Sequence, residues 1–318
     1  MIFSMWTEIE PRFFVIDSQV TATNQSLTNE AFSEKWLAYS EENESERETF
    51  FEFQKDWFLR LYGFEDEAEL ATYLCNFEWI LDAGCGLGYK SAWFAALAPG
   101  STVIGIDYSS ASYIAYKKYT EVYENLIFAK GDIAATNLPD DAIGLVACDQ
   151  VIMHTEDPAS TLQELSRITS NAGEIFCYWY RKKAVPRELL DNFFRSHTSK
   201  RSSEELWRLS KEVLLLGKML SDLDIQADFP DVPSLGIVGG KMDLQRFIYW
   251  NFIKCFWNEE LGYATSLSTN FDWYSPVNAK TFSLGEVSAD VQAAGLVKTF
   301  FHEEESCFSG RFIKQDVA

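Results

Sequence analysis

The amino-acid sequence predicts an α/β protein whose ligand site lies at the ends of its strands, and three stretches carry that reading. The run Ile80-Leu81-Asp82-Ala83-Gly84-Cys85-Gly86-Leu87-Gly88 reads as a buried strand breaking into a glycine-cornered turn, with a helix from about Lys90. Val103-Ile104-Gly105-Ile106-Asp107 reads as a second apolar strand ending in an acid, and Leu126-Ile127-Phe128-Ala129 as a third, followed by Gly131-Asp132-Ile133. Glycines at 84, 86 and 88 let the backbone turn tightly and approach a ligand, while the helix start offers donors to a carboxylate or phosphate. Together they imply a nucleotide-like ligand.

A dinucleotide fingerprint, G-x-G-x-x-G/A, needs Gly or Ala at position 89, where this chain has Tyr89. The spacing from Asp82 to Gly88 is D-x-G-x-G-x-G instead, and here the chain resembles the class I S-adenosylmethionine-dependent methyltransferases. The resemblance spans roughly Asn76 to Arg181 and implies a Rossmann-like, doubly wound, mostly parallel sheet closed by an antiparallel hairpin. It implies that Asp82 helps hold the amino end of S-adenosylmethionine and that Gly84, Cys85, Gly86 and Gly88 make room for its methionine part. It also implies that Asp107 accepts the ribose hydroxyls, with Tyr108 near the adenine, and that Asp132 beside Ile133 bonds the adenine amino group. Leu145 to His154 is similar to the fourth strand and following loop of that family, which adds Gln150 to the cofactor residues. One departure stands out: many relatives carry an acid before the fourth strand, where this chain has Gly144.

The remaining elements follow in order. Residues 1–75 read as an N-terminal helical lid region, because Phe32, Trp36, Tyr39, Phe50, Phe51, Phe53, Trp57, Phe58 and Leu61 recur at helical spacings around a charged junction, Glu41–Glu48. Residues 76–181 are the cofactor-binding core, with a helix near Ala159–Ile168 and a fifth strand at Glu174–Tyr180. Residues 182–283 are a mainly helical cap insertion: helices at Pro186–Phe194 and Ser203–Leu220, the latter capped by Ser202 or Ser203. Asp228 to Pro233 and Gly236, Gly239 and Gly240 then break the pattern into a loop. A helix over Asp243–Asn258 and a structured loop at Asn270–Pro276 complete the insertion. Residues 284–318 supply a helix, Leu284–Ala294, and two strands, Gly295–Phe301 and Cys307–Ile313.

Composition excludes several classes. A net charge of −21 argues against nucleic acid, which demands clustered Lys and Arg, and the short basic runs Arg181-Lys182-Lys183 and Lys200-Arg201 read as solvated surface. No apolar run reaches the ~20 residues that cross a bilayer, and the N-terminus lacks the basic start of a signal peptide. Six cysteines without C-x-x-C pairs suit reduced core residues in a cytoplasmic protein. Self-association into a homodimer is left open.

Methyl transfer from a sulfonium is an in-line displacement that needs alignment and exclusion of water, and no metal-ligand cluster is present in the sequence. Where the acceptor must lose a proton, His154, Tyr180 or Asp149 is the candidate base. His154 and Tyr180 are selected as the catalytic pair; alternation puts Tyr178 and Tyr180 on one face and Trp179 on the other, and Tyr180 is chosen because it stands at the carboxyl end of the strand, where open α/β sheets bind ligands. The substrate candidates are Trp36, Tyr39, Trp250, Trp273 and Tyr274, which suit a flat, apolar or cationic small-molecule acceptor, and Arg246, which pairs either with an anionic acceptor or with Asp243 or Asp272. The expected function is therefore S-adenosylmethionine-dependent methyl transfer to a small molecule. Two alternatives differ in class: a catalytically silent S-adenosylmethionine-binding regulatory or scaffold protein, and a nicotinamide-dependent oxidoreductase.

Overall fold

The computed structural model describes residues 2–17, 23–40, 44–198 and 201–315. In chain order the elements are β1 (Trp6–Glu10), β2 (Phe13–Ile16), α1 (Thr23–Ser40), α2 (Glu44–Tyr62), α3 (Glu67–Leu74), β3 (Trp79–Ala83), α4 (Tyr89–Leu97), β4 (Thr102–Asp107), α5 (Ala111–Tyr119), β5 (Leu126–Lys130), β6 (Ile143–Cys148), α6 (Pro158–Ile168) and β7 (Thr169–Tyr180). There follow α7 (Val185–Thr198), α8 (Ser203–Asp222), β8 (Gln226–Phe229), β9 (Gly240–Asp243), α9 (Leu244–Asn251), α10 (Gly262–Tyr274), α11 (Leu284–Ala293), β10 (Leu296–Glu303) and β11 (Cys307–Lys314). Two compact units result: Met1–Asn29, Phe53–Arg181 and Lys280–Ala318 form the first, Glu30–Glu52 and Lys182–Ala279 the second.

The first unit is built on a nine-stranded sheet in the order β1-β2-β5-β4-β3-β6-β7-β11-β10. The strands from β2 through β7 in that order are parallel, whereas β11 runs antiparallel to both β7 and β10. Ile80, Leu81, Val103, Ile104, Leu145 and Val146 are fully buried, as strands covered on both faces must be. The chain winds from β3 outward through β4 and β5, then returns to place β6 on the other side of β3. The strand order therefore reverses between β3 and β6, and the carboxyl ends of such a pair are where an open parallel sheet takes its ligand. Helix starts are sharply set: Asp66 accepts from Glu69 N, Asp157 caps α6 ahead of Pro158, and Ser283 with Glu286 forms a capping box on α11.

Within residues 1–75, α1, α2 and α3 are helical as expected, and the departure is confined to the first strands. β1 and β2 form a hairpin, and β2 adds to the sheet parallel to β5. Arg12 turns the hairpin at φ +69° and donates to the carbonyls of Thr120 and Tyr123, while Trp6 Nε1 donates to Thr136 O at 2.7 Å. Gly144 also has a structural reason, since a Cβ there would approach Phe77 to 2.9 Å.

In the second unit α8 packs on α10, with Trp207 stacked on Phe271 at 3.9 Å, and Ser202 and Glu205 form the capping box of α8. The expected helix over Asp243–Asn258 ends at Asn251, because Gln245 Nε2 donates to Cys255 O and the Asn270 amide bonds both Phe256 N and Phe256 O. The expected loop at Asn270–Pro276 is instead the end of α10. Residues 41–43 of the expected junction and Lys200 lie outside the described residues.

Arg187 is 1% exposed, pairs with Asp191 at 2.8 Å, and donates to Tyr249 O. Asp191→Ala leaves that guanidinium without its counter-charge and is expected to destabilise the chain by roughly 3–5 kcal/mol, read from urea unfolding.

Candidate functional site

The site is built by the turn between β3 and α4. Gly84, Gly86 and Gly88 all lie at positive φ. At Gly84 (+87°) a Cβ would overlap Val151, and at Gly88 (+74°) it would meet Ala115 and Phe128, so neither position takes a side chain without displacing its neighbour. Gly84 N and Cys85 N both donate to Ile106 O, and Gly88 N to Cys85 O, which locks the turn onto β4 and onto itself.

Asp82, at 1% exposure, accepts from Ser91 Oγ at 2.6 Å. Its pKa is raised by burial, against the pull of the nearby Lys90 ammonium. Asp107 ends β4 and accepts from Gly86 N through Oδ2 at 2.8 Å, and from Ser109 N and Oγ through Oδ1 at 2.8 and 2.5 Å. Asp132 lies just beyond β5, accepts from Ala134 N through Oδ1, and has its pKa raised by burial. The half-buried Tyr108 has its phenol pushed up by burial and by the nearby Asp132 charge. Cys85 and Ile133 are buried, with the Cys85 thiol pushed well up by desolvation.

Behind the turn lies a network that the sequence did not disclose. Lys90 Nζ reaches Asp149 Oδ2 at 2.6 Å and the Asp149 carbonyl at 3.2 Å. Tyr62 donates to Asp149 Oδ1 at 2.9 Å, and Gln150 donates to Asp149 Oδ2 at 3.2 Å and to Gln54 Oε1 at 2.7 Å. Asp149 is thereby corrected from candidate base to buried counter-ion. Gln150 sits at φ +64°, a conformation a non-glycine residue holds only when its surroundings fix it, and here its side-chain bonds do so. Two signals were available in the sequence. Lys90 is the lone charge in an apolar helix start, and Gln54 stands in the stripe Phe51, Gln54, Phe58, Leu61, where spacing calls for an apolar residue.

His154 closes the short 3₁₀ turn after β6 and is 7% exposed; its ring stands perpendicular to that of Tyr180 at 5.5 Å. Tyr178 lies edge-on to Tyr180, and Trp179 faces the other way onto Phe312, so the alternation along β7 is as expected. Phe282 N donates to Tyr180 O and Lys280 N to Met153 O, so one returning segment holds both ends of the pair.

The substrate candidates all belong to the second unit. Trp273 and Tyr274, expected on a loop, are buried on α10: the Tyr274 hydroxyl donates to Lys254 O, and the Trp273 ring packs against Lys254 and Arg187. Trp36 is half-buried under Lys35, and Trp250 half-buried beside Lys183. Asp243 caps the Arg246 backbone, and Asp272 pairs with Lys35 rather than with Arg246, which is exposed. Tyr39 lies on α1, but its side chain falls outside the described residues.

Among the described residues no helix is long and apolar enough to cross a membrane, and no cluster of His, Cys, Asp and Glu is arranged for a metal. Residues 81–177 match the methyltransferase domain family. An uncharacterized methyltransferase of Schizosaccharomyces pombe is 33% identical over 116 residues, 34% of this chain and 42% of that protein. A probable S-adenosylmethionine-dependent methyltransferase of Mycolicibacterium smegmatis is 32% identical over 117 residues, 37% of this chain and 42% of that protein. The chain thus spans about two fifths of the length of these curated relatives, 42% in each case. Among solved structures, a SAM-dependent methyltransferase of Aquifex aeolicus is similar with a TM-score of 0.42 and 14% identity, over 80% of this chain and 90% of that one.

Burial raises the Asp82 pKa, so the stability gained by protonating it is complete below about pH 3.9 and is lost as pH rises through the raised folded value. Charged Asp82 is therefore a net cost at neutral pH. Asp82→Asn is expected to raise the thermal midpoint at pH 7 and to lose that advantage as the pH is brought below about 4.

Proposed function

We propose that this chain, whose residues 81–177 match the methyltransferase domain family, transfers the methyl group of S-adenosylmethionine to a small-molecule acceptor. The observation that carries the reading is the set of three carboxylates, Asp82, Asp107 and Asp132, at or just beyond the ends of β3, β4 and β5 around the glycine turn.

The donor and acceptor inventory fits the cofactor. A carboxylate offers about four acceptor sites. Asp107 uses one at Oδ2 and two at Oδ1, so Oδ2 has room for one ribose hydroxyl, and Oδ1 takes a second when the Ser109 hydroxyl turns aside. Asp132 accepts only through Oδ1, which leaves Oδ2 for the adenine amino group between Tyr108 and Ile133. Asp82 supplies negative charge for the ammonium of the methionine part. Where the cofactor is bound, its sulfonium supplies the methyl group for an in-line displacement. The protein's part is then to align the acceptor, keep water out, and receive a proton where the acceptor carries one. His154 is assigned that proton, with Tyr180 orienting the imidazole through their perpendicular contact. Asp149, neutralised by Lys90, takes no part in it.

The small-molecule character of the acceptor is supported by the net charge of −21, which disfavours phosphate backbones. Acceptor choice is assigned to the second unit, with the half-buried Trp36 and Trp250 as its aromatic candidates. Six unpaired thiols fit a cytoplasmic setting.

Calorimetric titration with S-adenosylmethionine, S-adenosylhomocysteine, NAD and NADP tests the cofactor assignment, and micromolar binding of the adenosyl ligands alone is expected. Asp107→Ala is expected to weaken that binding by about 1–3 kcal/mol, and unchanged affinity in a folded variant rejects the assignment. Transfer of labelled methyl to an acceptor from a metabolite panel separates an enzyme from a silent binding protein.

A further inference from the structure

We infer that Gln54 is a positioning residue for the anionic end of the methyl donor: its carbonyl braces the crevice while its amide N–H groups meet the donor's carboxylate. The inference rests on the cofactor reading proposed above. Gln54 lies on the part of α2 that belongs to the first unit and is 7% exposed. Its Oε1 accepts from Gln150 Nε2 at 2.7 Å and from Tyr89 Oη at 3.3 Å. Tyr89 opens α4 directly after the glycine turn, and Gln150 follows β6, so one amide oxygen ties together the two segments that border the switch point. The Gln54 Nε2 group has no hydrogen-bond partner among the described residues. Nearly buried amide donors favour a partner, and a ligand carboxylate at this place supplies one.

The charge of the crevice calls for such a donor. Asp82, Asp107 and Asp132 suit the ammonium, the ribose and the adenine, but each repels a carboxylate. Lys90, the cation beside the turn, is taken up by Asp149 at 2.6 Å. The turn's own amides are largely committed, Gly84 N and Cys85 N to Ile106 O, Gly86 N to Asp107, and Gly88 N to Cys85 O. A zwitterionic amino-acid tail therefore meets ample acceptors and few donors. Gln54 is a side-chain donor already anchored in place by two bonds through its other amide atom.

Bracing and donation are separable by ligand and by variant. Decarboxylated S-adenosylmethionine keeps the adenosine, sulfonium and amine and lacks only the carboxylate. Gln54→Glu is isosteric and keeps an oxygen for Tyr89 and Gln150, but it removes the N–H groups and adds a negative charge. Calorimetric titration of wild type, Gln54→Glu and Gln54→Ala with both ligands, on proteins whose circular dichroism matches wild type, reads the difference. Gln54→Glu is expected to weaken S-adenosylmethionine by at least about tenfold, the loss of a charge-assisted hydrogen bond, and to leave the decarboxylated ligand within about twofold of wild type or tighter. Gln54→Ala is expected to narrow the preference for the carboxylated ligand in the same direction. Equal weakening of both ligands by Gln54→Glu, or no weakening of either, overturns the inference, since a residue that only braces cannot tell the ligands apart. Wild-type protein that binds neither ligand overturns the cofactor reading itself.

Discussion

The buried pair between Lys90 and Asp149 is the interaction on which the geometry of the site depends. Both side chains are almost wholly removed from water, at 7% and 1% exposure. Burial works against the Lys90 charge, but the Asp149 carboxylate outweighs it and holds the ammonium protonated well beyond the ordinary lysine range. Desolvating two ions is costly unless their remaining donors and acceptors are filled, and here Tyr62, Gln150 and the Asp149 carbonyl fill them. The pair joins the first turn of α4, directly after the glycine turn, to the residue that follows β6. Tyr62 brings α2 into the same contact, and its burial beside Asp149 keeps the phenol neutral. Gln150, in its left-handed backbone conformation, has its amide held by the same network.

A site assembled from aspartates has an electrostatic consequence. Asp82 and Asp132 both have raised pKa values because they are buried, and Asp82 also feels Asp149 and Asp107. One buried lysine does not balance that many acids. The cluster is best satisfied when positive charge and hydroxyl or amine donors enter, which is what the ammonium, sulfonium, ribose and adenine of the proposed cofactor bring. Part of the first unit's stability is given up for binding, the usual relation between a strained, charged site and the fold that carries it.

Legibility in the sequence followed the range of the forces involved. β3, β4 and β5, the glycine turn and its three acids were readable because buried parallel strands are continuous apolar runs and the turn needs glycine locally. The hairpin of β1 and β2 was not. Its strands have five and four residues, too short for alternation to register, and β2 exists by pairing with β5, a partner far along the chain. α9 stops at Asn251 where side chains take over the backbone groups of residues 255 and 256, Gln245 from the helix's own first turn and Asn270 from α10. The last turns of α10 looked like a loop because Asn270-Phe271-Asp272-Trp273-Tyr274 lacks helical charge spacing, and the stacking of Phe271 on Trp207 decides its conformation instead. In the site, the individual acids were visible; Lys90 and Gln54 stood out only as polar residues in apolar settings, and their partners, like that of Tyr62, come from contacts that a linear reading does not contain.

The contact of His154 with Tyr180 depends on how the closing hairpin is registered against β7. Antiparallel pairing sets Cys307 opposite Tyr180 and Phe308 opposite Trp179, and a slip of one residue would turn Tyr180 to the face that Trp179 now occupies against Phe312. The register is pinned at a second point by the chain that re-enters the first unit. Lys280 N bonds Met153 O, next to His154, and Phe282 N bonds Tyr180 O. Arg181 and Phe282 continue this contact as an isolated parallel bridge. A long insertion between β7 and α11 therefore leaves the chain just after Tyr180 and rejoins it beside Met153 and Tyr180, so the strand end that carries Tyr180 is held by covalent and hydrogen-bonded neighbours on both sides.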